Sequence, residues 1–177
     1  MRMVAAVMFC ASLASGSQDP GRKMTEYELK AGFLYNFAKY VEWPAASFEK
    51  ADSPIRIGVV GADPFGAVLD RTLKDRTAQE RKFEIVRFTE PEDLQSCHIL
   101  FIPRTEKRRD DITRKIEGWA TLTVGESAGF AATGGIVNIL IEKEKPRLEI
   151  NPEAAELAKL KIQARLLKLA TLVKTEK

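Results

Sequence analysis

Tyr27-Glu-Leu-Lys-Ala-Gly-Phe-Leu-Tyr-Asn-Phe-Ala-Lys-Tyr-Val-Glu-Trp-Pro44 is the stretch on which the fold turns. It carries all 3 tyrosines of the chain together with Phe33, Phe37 and Trp43. Thr25 stands where a helix N-cap belongs, and Glu28 after it completes a capping box. Met24 and Leu29 occupy the two positions of a hydrophobic staple. Pro44 closes the segment, because proline lacks the amide proton and disfavours helix in the residue before it. Apolar side chains at 29, 33, 37, 40 and 41 fall on one face, and 27, 31, 34 and 38 widen it. A helix so apolar around its girth needs cover on more than one side, from its own core or from a second copy. Phe33, Tyr35, Phe37, Tyr40 and Trp43 are therefore the expected partner or dimer surface.

Upstream, Arg2, the apolar run 4–13 and the small residues around Ala14-Ser15-Gly16 have the pattern of a secretory signal peptide. The run is too short to span a bilayer, and no later stretch is apolar enough to do so. Residues 1–16 are thus expected to be cleaved on export, leaving residues 17–177 as one domain of a size that supports a real core. The formal net charge is +3, one unit of which leaves with Arg2, so nothing points to nucleic acid or to a strongly acidic partner. Cys10 would be lost with the leader. Cys97 then stands alone, and an exported domain with one thiol must be stabilised by packing rather than by an internal disulfide.

Beyond a polar loop at 46–54, strands and helices alternate. Strands are expected at 55–61, 83–89, 98–103 and 121–125, with helices at 63–74 and 105–117 and a brief helical turn at 91–95. Asp63 reads as the N-cap of the second helix with Pro64 in its first turn. This order argues for βαβ units, an α/β class with a mostly parallel sheet and helices on both faces in three layers. The last third changes rhythm. Residues 136–141 and 147–150 form an antiparallel hairpin, and Asn151-Pro152 opens a final helix. Ala155, Ala158, Ile162, Leu166, Leu169 and Val173 step by three or four, which predicts one continuous core stripe.

Catalytic ingredients are scarce. The sole histidine, His98, adjoins Cys97, but neighbours on a strand point to opposite faces, so the pair does not form a thiolate nucleophile. One histidine and one cysteine without a carboxylate cluster argue against zinc. Three glycine-bearing turns, 61–66, 125–129 and 133–135, match neither the dinucleotide nor the P-loop spacing. Two of them follow expected strands, where ligands of open parallel sheets bind. Gly61, Asp63, Arg104, Gly125, Glu126 and Ser127 therefore line a candidate ligand crevice. The plainer alternative is that Gly61, Gly134 and Gly135 supply positive φ for turns and that Asp63 caps a helix. The basic run Arg104, Lys107, Arg108 and Arg109 meets Asp110 and Asp111 at once, the pattern of a solvated helix face.

Lys30-Ala-Gly-Phe-Leu-Tyr-Asn-Phe-Ala-Lys-Tyr-Val-Glu-Trp-Pro44 is one motif; Gly129-Phe-Ala-Ala-Thr-Gly-Gly-Ile-Val-Asn138 is the start of another. The second continues through Leu148-Glu-Ile-Asn151 and closes with Ala164-Arg-Leu-Leu-Lys-Leu-Ala170. In this order, with the strands and helices between them, they resemble the YfiR family of exported regulators across residues 24–175. The resemblance implies a periplasmic, dimerising α/β domain with no catalytic activity and no cofactor. It implies a partner too: an inner-membrane sensor protein, a diguanylate cyclase in the family's best-understood role, held down through its periplasmic portion. Release then raises cyclic-di-GMP and biofilm formation. The family's disulfide-bearing repressor differs from this chain, where Cys97 has no partner unless it bridges two copies. Two other classes stay open beside this one: a periplasmic small-molecule binding domain using the crevice, and a hydrolase or transferase.

Overall fold

The computed structural model describes residues 23–143 and 145–176; the expected leader lies outside them. Helix α1 (Glu26–Tyr40) starts at the expected capping box. The Thr25 hydroxyl accepts the Glu28 amide proton at 3.2 Å, and the Glu28 carboxylate accepts that of Thr25 at 2.8 Å. The helix stops at Tyr40, short of Pro44, because Val41 turns extended and begins β1 (Val41–Glu42).

Next come β2 (Ile55–Val60), α2 (Ala67–Leu73), β3 (Phe83–Phe88), β4 (Ile99–Ile102), α3 (Arg109–Lys115) and β5 (Leu122–Gly125). The hairpin β6 (Val137–Glu142) and β7 (Lys145–Ile150) follows, then α4 (Pro152–Leu157), β8 (Lys161–Ile162), α5 (Ala164–Leu167) and β9 (Thr171–Leu172). Seven strands form one sheet in the order β3-β2-β4-β5-β6-β7-β9. The first five run parallel, β7 is antiparallel to β6, and β9 is parallel to β7. The class is α/β, as the alternation of strands and helices predicts.

Two apolar layers cover the sheet. The larger packs α1, α2, α4 and α5 against Ile57, Val59, Phe101, Val124 and Ile139. The smaller sets Ile112, in the middle of α3, and Ile116, which caps its end, against Leu100, Ile102, Phe88 and Phe130. Phe130 fits only because glycines lie under its ring. A Cβ on Gly125 would sit 2.4 Å from the ring, and one on Gly135 2.2 Å, so both positions exclude any side chain. Gly61 and Gly134 do have positive φ, but Gly135 is glycine for this close approach instead.

Three expectations need correction. The second helix begins at Ala67 after Gly66, not at Asp63, which instead closes a local turn by accepting the Phe65 amide proton at 2.8 Å. The third helix begins only at Arg109, since residues 104–108 form turns. The long last helix does not exist. Asn151 does cap α4, accepting the Ala154 amide proton at 3.1 Å, but Lys159 adopts a left-handed φ of 57° and ends it. Lys161 and Ile162 then pair antiparallel with β1 as a separate two-stranded sheet that clips the end of α1 to the C-terminal region. The three-to-four stepping of Ala155, Ala158, Ile162 and Leu166 arises from short elements that each bury an apolar side chain.

Candidate functional site

Beyond the carboxyl ends of β4 and β5, next to the point between β2 and β4 where the strand order reverses, charged side chains converge. The loop after β4 supplies Arg104, the loop after β5 supplies Glu126, and the first turns of α1 supply Glu26, Tyr27 and Lys30. Glu126 is the hub. Its Oε1 accepts the Arg104 amide proton at 2.8 Å and the Tyr27 hydroxyl at 3.4 Å, and Arg104 Nε lies 3.5 Å away. Its Oε2 pairs with the Lys30 ammonium, which also pairs with Glu26; Glu26 in turn pairs with the Arg104 guanidinium. Lys30 lies over the Tyr27 ring at 4.9 Å, and that ring meets Phe65 edge-on at 5.4 Å.

Both the Lys30 and the Glu126 side chains are 0% exposed. Two cations face two carboxylates, so the cluster is balanced, and each member of the buried pair has further hydrogen-bond partners. Burial acts to raise the Glu26 carboxyl, but the hydrogen bond and charge of Lys30, joined by Arg104, outweigh it and hold it below its ordinary value. The Tyr27 phenol is pushed up, first by burial and then by the Glu126 charge. The cluster fastens the first half of α1 to the loops after β4 and β5.

Of the expected crevice residues, Arg104 and Glu126 are thus brought together, beside Gly125. Gly61 lies nearby in the loop after β2, where a Cβ would come within 3.0 Å of the Glu106 carboxylate. Asp63 turns elsewhere and pairs with Arg87 at 2.7 Å, and Arg87 also binds Asp70 at 2.6 Å. Ser127 contributes its carbonyl, which accepts from the Asn138 side-chain amide at 2.8 Å and from the Phe130 amide at 3.1 Å. Lys30, Glu26 and Tyr27 are the members that sequence reasoning missed. The signal was Lys30 itself, a cation on the helical rows shared by Tyr27, Ala31, Leu34, Phe37 and Ala38.

The aromatic face of α1 divides in two. Phe37 is 0% and Trp43 8% exposed, so both belong to the domain's own core and not to a partner surface. Trp43 Nε1 donates to the His98 carbonyl at 3.0 Å. Phe33, Tyr35 and Tyr40 are half-buried, with cationic groups of Arg76 and Arg165 over Tyr35 and Tyr40.

Cys97 and His98 diverge as strand alternation requires. Cys97 packs in the smaller apolar layer, and burial pushes its thiol up to about 12. The His98 ring accepts the Arg56 amide proton at 2.9 Å through Nδ1 and reaches the Ser47 carbonyl at 3.2 Å through Nε2, stacked 4.3 Å from Phe48. Burial pushes its imidazole down to about 4. The basic run is offset as well, with Arg108 paired to Glu90, Glu92 and Glu106. Among the described residues no group of three or more His, Cys, Asp or Glu is placed to hold a metal ion, and no helix is long and apolar enough to cross a membrane.

The YfiR/HmsC-like family profile matches residues 27–171. Among solved structures, the fold is similar to a crystal structure of a conserved domain protein from Vibrio cholerae O1 biovar El Tor str. N16961, with a TM-score of 0.56 and 14% identity. The match covers 85% of this chain and 61% of that one, and at this identity it speaks for the fold alone. No curated protein matches the chain. With the family profile spanning nearly the whole described domain, the chain belongs to the YfiR/HmsC-like family.

Proposed function

We propose that this protein is an exported, non-enzymatic regulator that binds and represses the periplasmic portion of an inner-membrane signalling protein, a diguanylate cyclase by family analogy, so lowering cyclic-di-GMP. The observation that carries this reading is the family match over residues 27–171. The family is one of periplasmic regulators. The site chemistry agrees with it: the crevice charges are paired with one another, and the one thiol and one imidazole are engaged in packing. Homodimerisation through the half-buried Phe33, Tyr35 and Tyr40 belongs to the same proposal. Deleting the gene should raise cellular cyclic-di-GMP, and complementation should restore it; unchanged nucleotide levels on deletion refute the cyclase as partner. The competing reading, a small-molecule binding domain, predicts that some metabolite raises the melting temperature of the pure protein. The crevice offers such a ligand few free groups.

A further inference from the structure

The seven-stranded sheet has two edges, and they differ. One is β9, of two residues. The other is β3, of six, paired with β2 in continuous register from Phe83 to Phe88 without bulge or proline. Edge strands of this length are ordinarily blunted by such devices. The carbonyls of Lys82 and Phe88 accept from the Ile55 and Gly61 amides, so the even-numbered residues face β2. Alternation along the strand then turns the backbone N–H and C=O of Phe83, Ile85 and Arg87 outward from the sheet. Phe83 and Ile85 on one face and Val86 on the other are only half-buried, the condition of a strand that lacks a neighbour.

Beside this edge, between β3 and the end of α2, runs an open groove of about 640 Å³. Leu73, Phe83 and Ile85 make its apolar floor, and Arg71, Lys74, Arg76 and Lys82 line its rim. Among the described residues none of these four cations has a carboxylate within ion-pair distance; of the two carboxylates in the lining, Asp70 is bound to Arg87, and Asp75 alone stands against the four cations.

We infer that β3 is a docking edge for an extended segment of the partner that is apolar on one face and acidic at one end. That segment would add as an eighth strand on Phe83, Ile85 and Arg87, set its apolar face on the groove floor and bring its acidic end against Lys74 and Lys82, beside the start of β3. The inference rests on reading the protein as a partner-binding regulator and gives that partner's contact segment its chemistry.

The test uses the mature protein and a blocked peptide of alternating valine and threonine that ends in two glutamates, compared with the same peptide ending in two lysines. The glutamate peptide should slow amide exchange at Phe83, Ile85 and Arg87, and Lys74→Glu/Lys82→Glu should weaken its binding about tenfold or more with the fold intact. Equal binding of the two peptides, or protection that follows protein concentration without peptide, overturns the inference. If both peptides fail while the intact partner's periplasmic domain still binds and ignores the double charge reversal, the docking edge is wrong and the regulator reading stands.

Discussion

Lys30 and Glu126, 96 positions apart in the sequence, form an ion pair with both side chains fully removed from solvent. Desolvating two charges is costly, and the pair is tolerated because Tyr27, Glu26 and Arg104 complete its hydrogen bonding. Its consequence is positional: the α1 end of the domain is held against the loops that follow β4 and β5.

Removing one partner should therefore hurt more than removing both. Lys30→Met leaves the Glu126 carboxylate buried without its cation and should lower the unfolding free energy by about 3 kcal/mol. Lys30→Met combined with Glu126→Leu should recover much of that loss, as read by urea denaturation. A single-variant loss below about 1 kcal/mol would show that the pair does not hold α1.

The two halves of the aromatic face should respond differently to charge. Phe37→Glu places a carboxylate in the core and should abolish folding, since even Phe37→Ala is expected to cost about 3–5 kcal/mol. Tyr40→Glu should keep the far-UV circular dichroism of the native protein and, on the proposed dimer surface, shift sedimentation toward the monomer. A Phe37→Glu protein that is folded and monomeric would return Phe37 to the interface.

His98 makes stability depend on pH in a defined direction. Burial holds the folded imidazole down at about 4 against an ordinary 6.5, with the nearby charges of Arg81 and Arg56 assisting and the Ser47 carbonyl opposing. Between those values the unfolded chain binds more protons than the folded one. The contribution is therefore fully present above pH 6.5 and is lost as pH falls toward 4. The lowered Glu26 carboxyl acts in the same direction, since acid removes its pairing with Lys30 and Arg104. NMR titration of the single histidine checks this directly: a ring midpoint near 6.5 would place His98 in water.

Gly125 should not tolerate a methyl group. Gly125→Ala drives a Cβ into the Phe130 ring and is expected to cost about 1–3 kcal/mol by thermal denaturation, with partial relief from Phe130→Leu. A neutral effect would mean that the ring has room to move, and that Gly125 is glycine for another reason.

The start of α1, the parallel strands and the β6–β7 hairpin were legible because each rests on local rules, a cap or an apolar run. The region after Asn151 was not. Its apolar stepping matched a helix, and the break at Lys159 comes from a left-handed residue that has no local sequence mark, followed by pairing with Val41 and Glu42 more than a hundred positions away. The site shows the same divide. Arg104 and Glu126 follow from topology, since both end parallel strands. Lys30 was not singled out, because a lysine enters a core only when tertiary structure delivers its carboxylates. The misassignment of Phe37 and Trp43 has a related cause: periodicity identifies an apolar face but not whether the chain itself covers it.

The central claim is that this domain acts by holding a membrane-embedded signalling partner, and crosslinking in intact cells followed by mass spectrometry of the purified adducts tests it most directly. The account predicts adducts with the periplasmic portion of an inner-membrane signalling protein, lost when its binding surface is altered. Crosslinks only within the chain, together with substrate turnover by the purified protein, would contradict it.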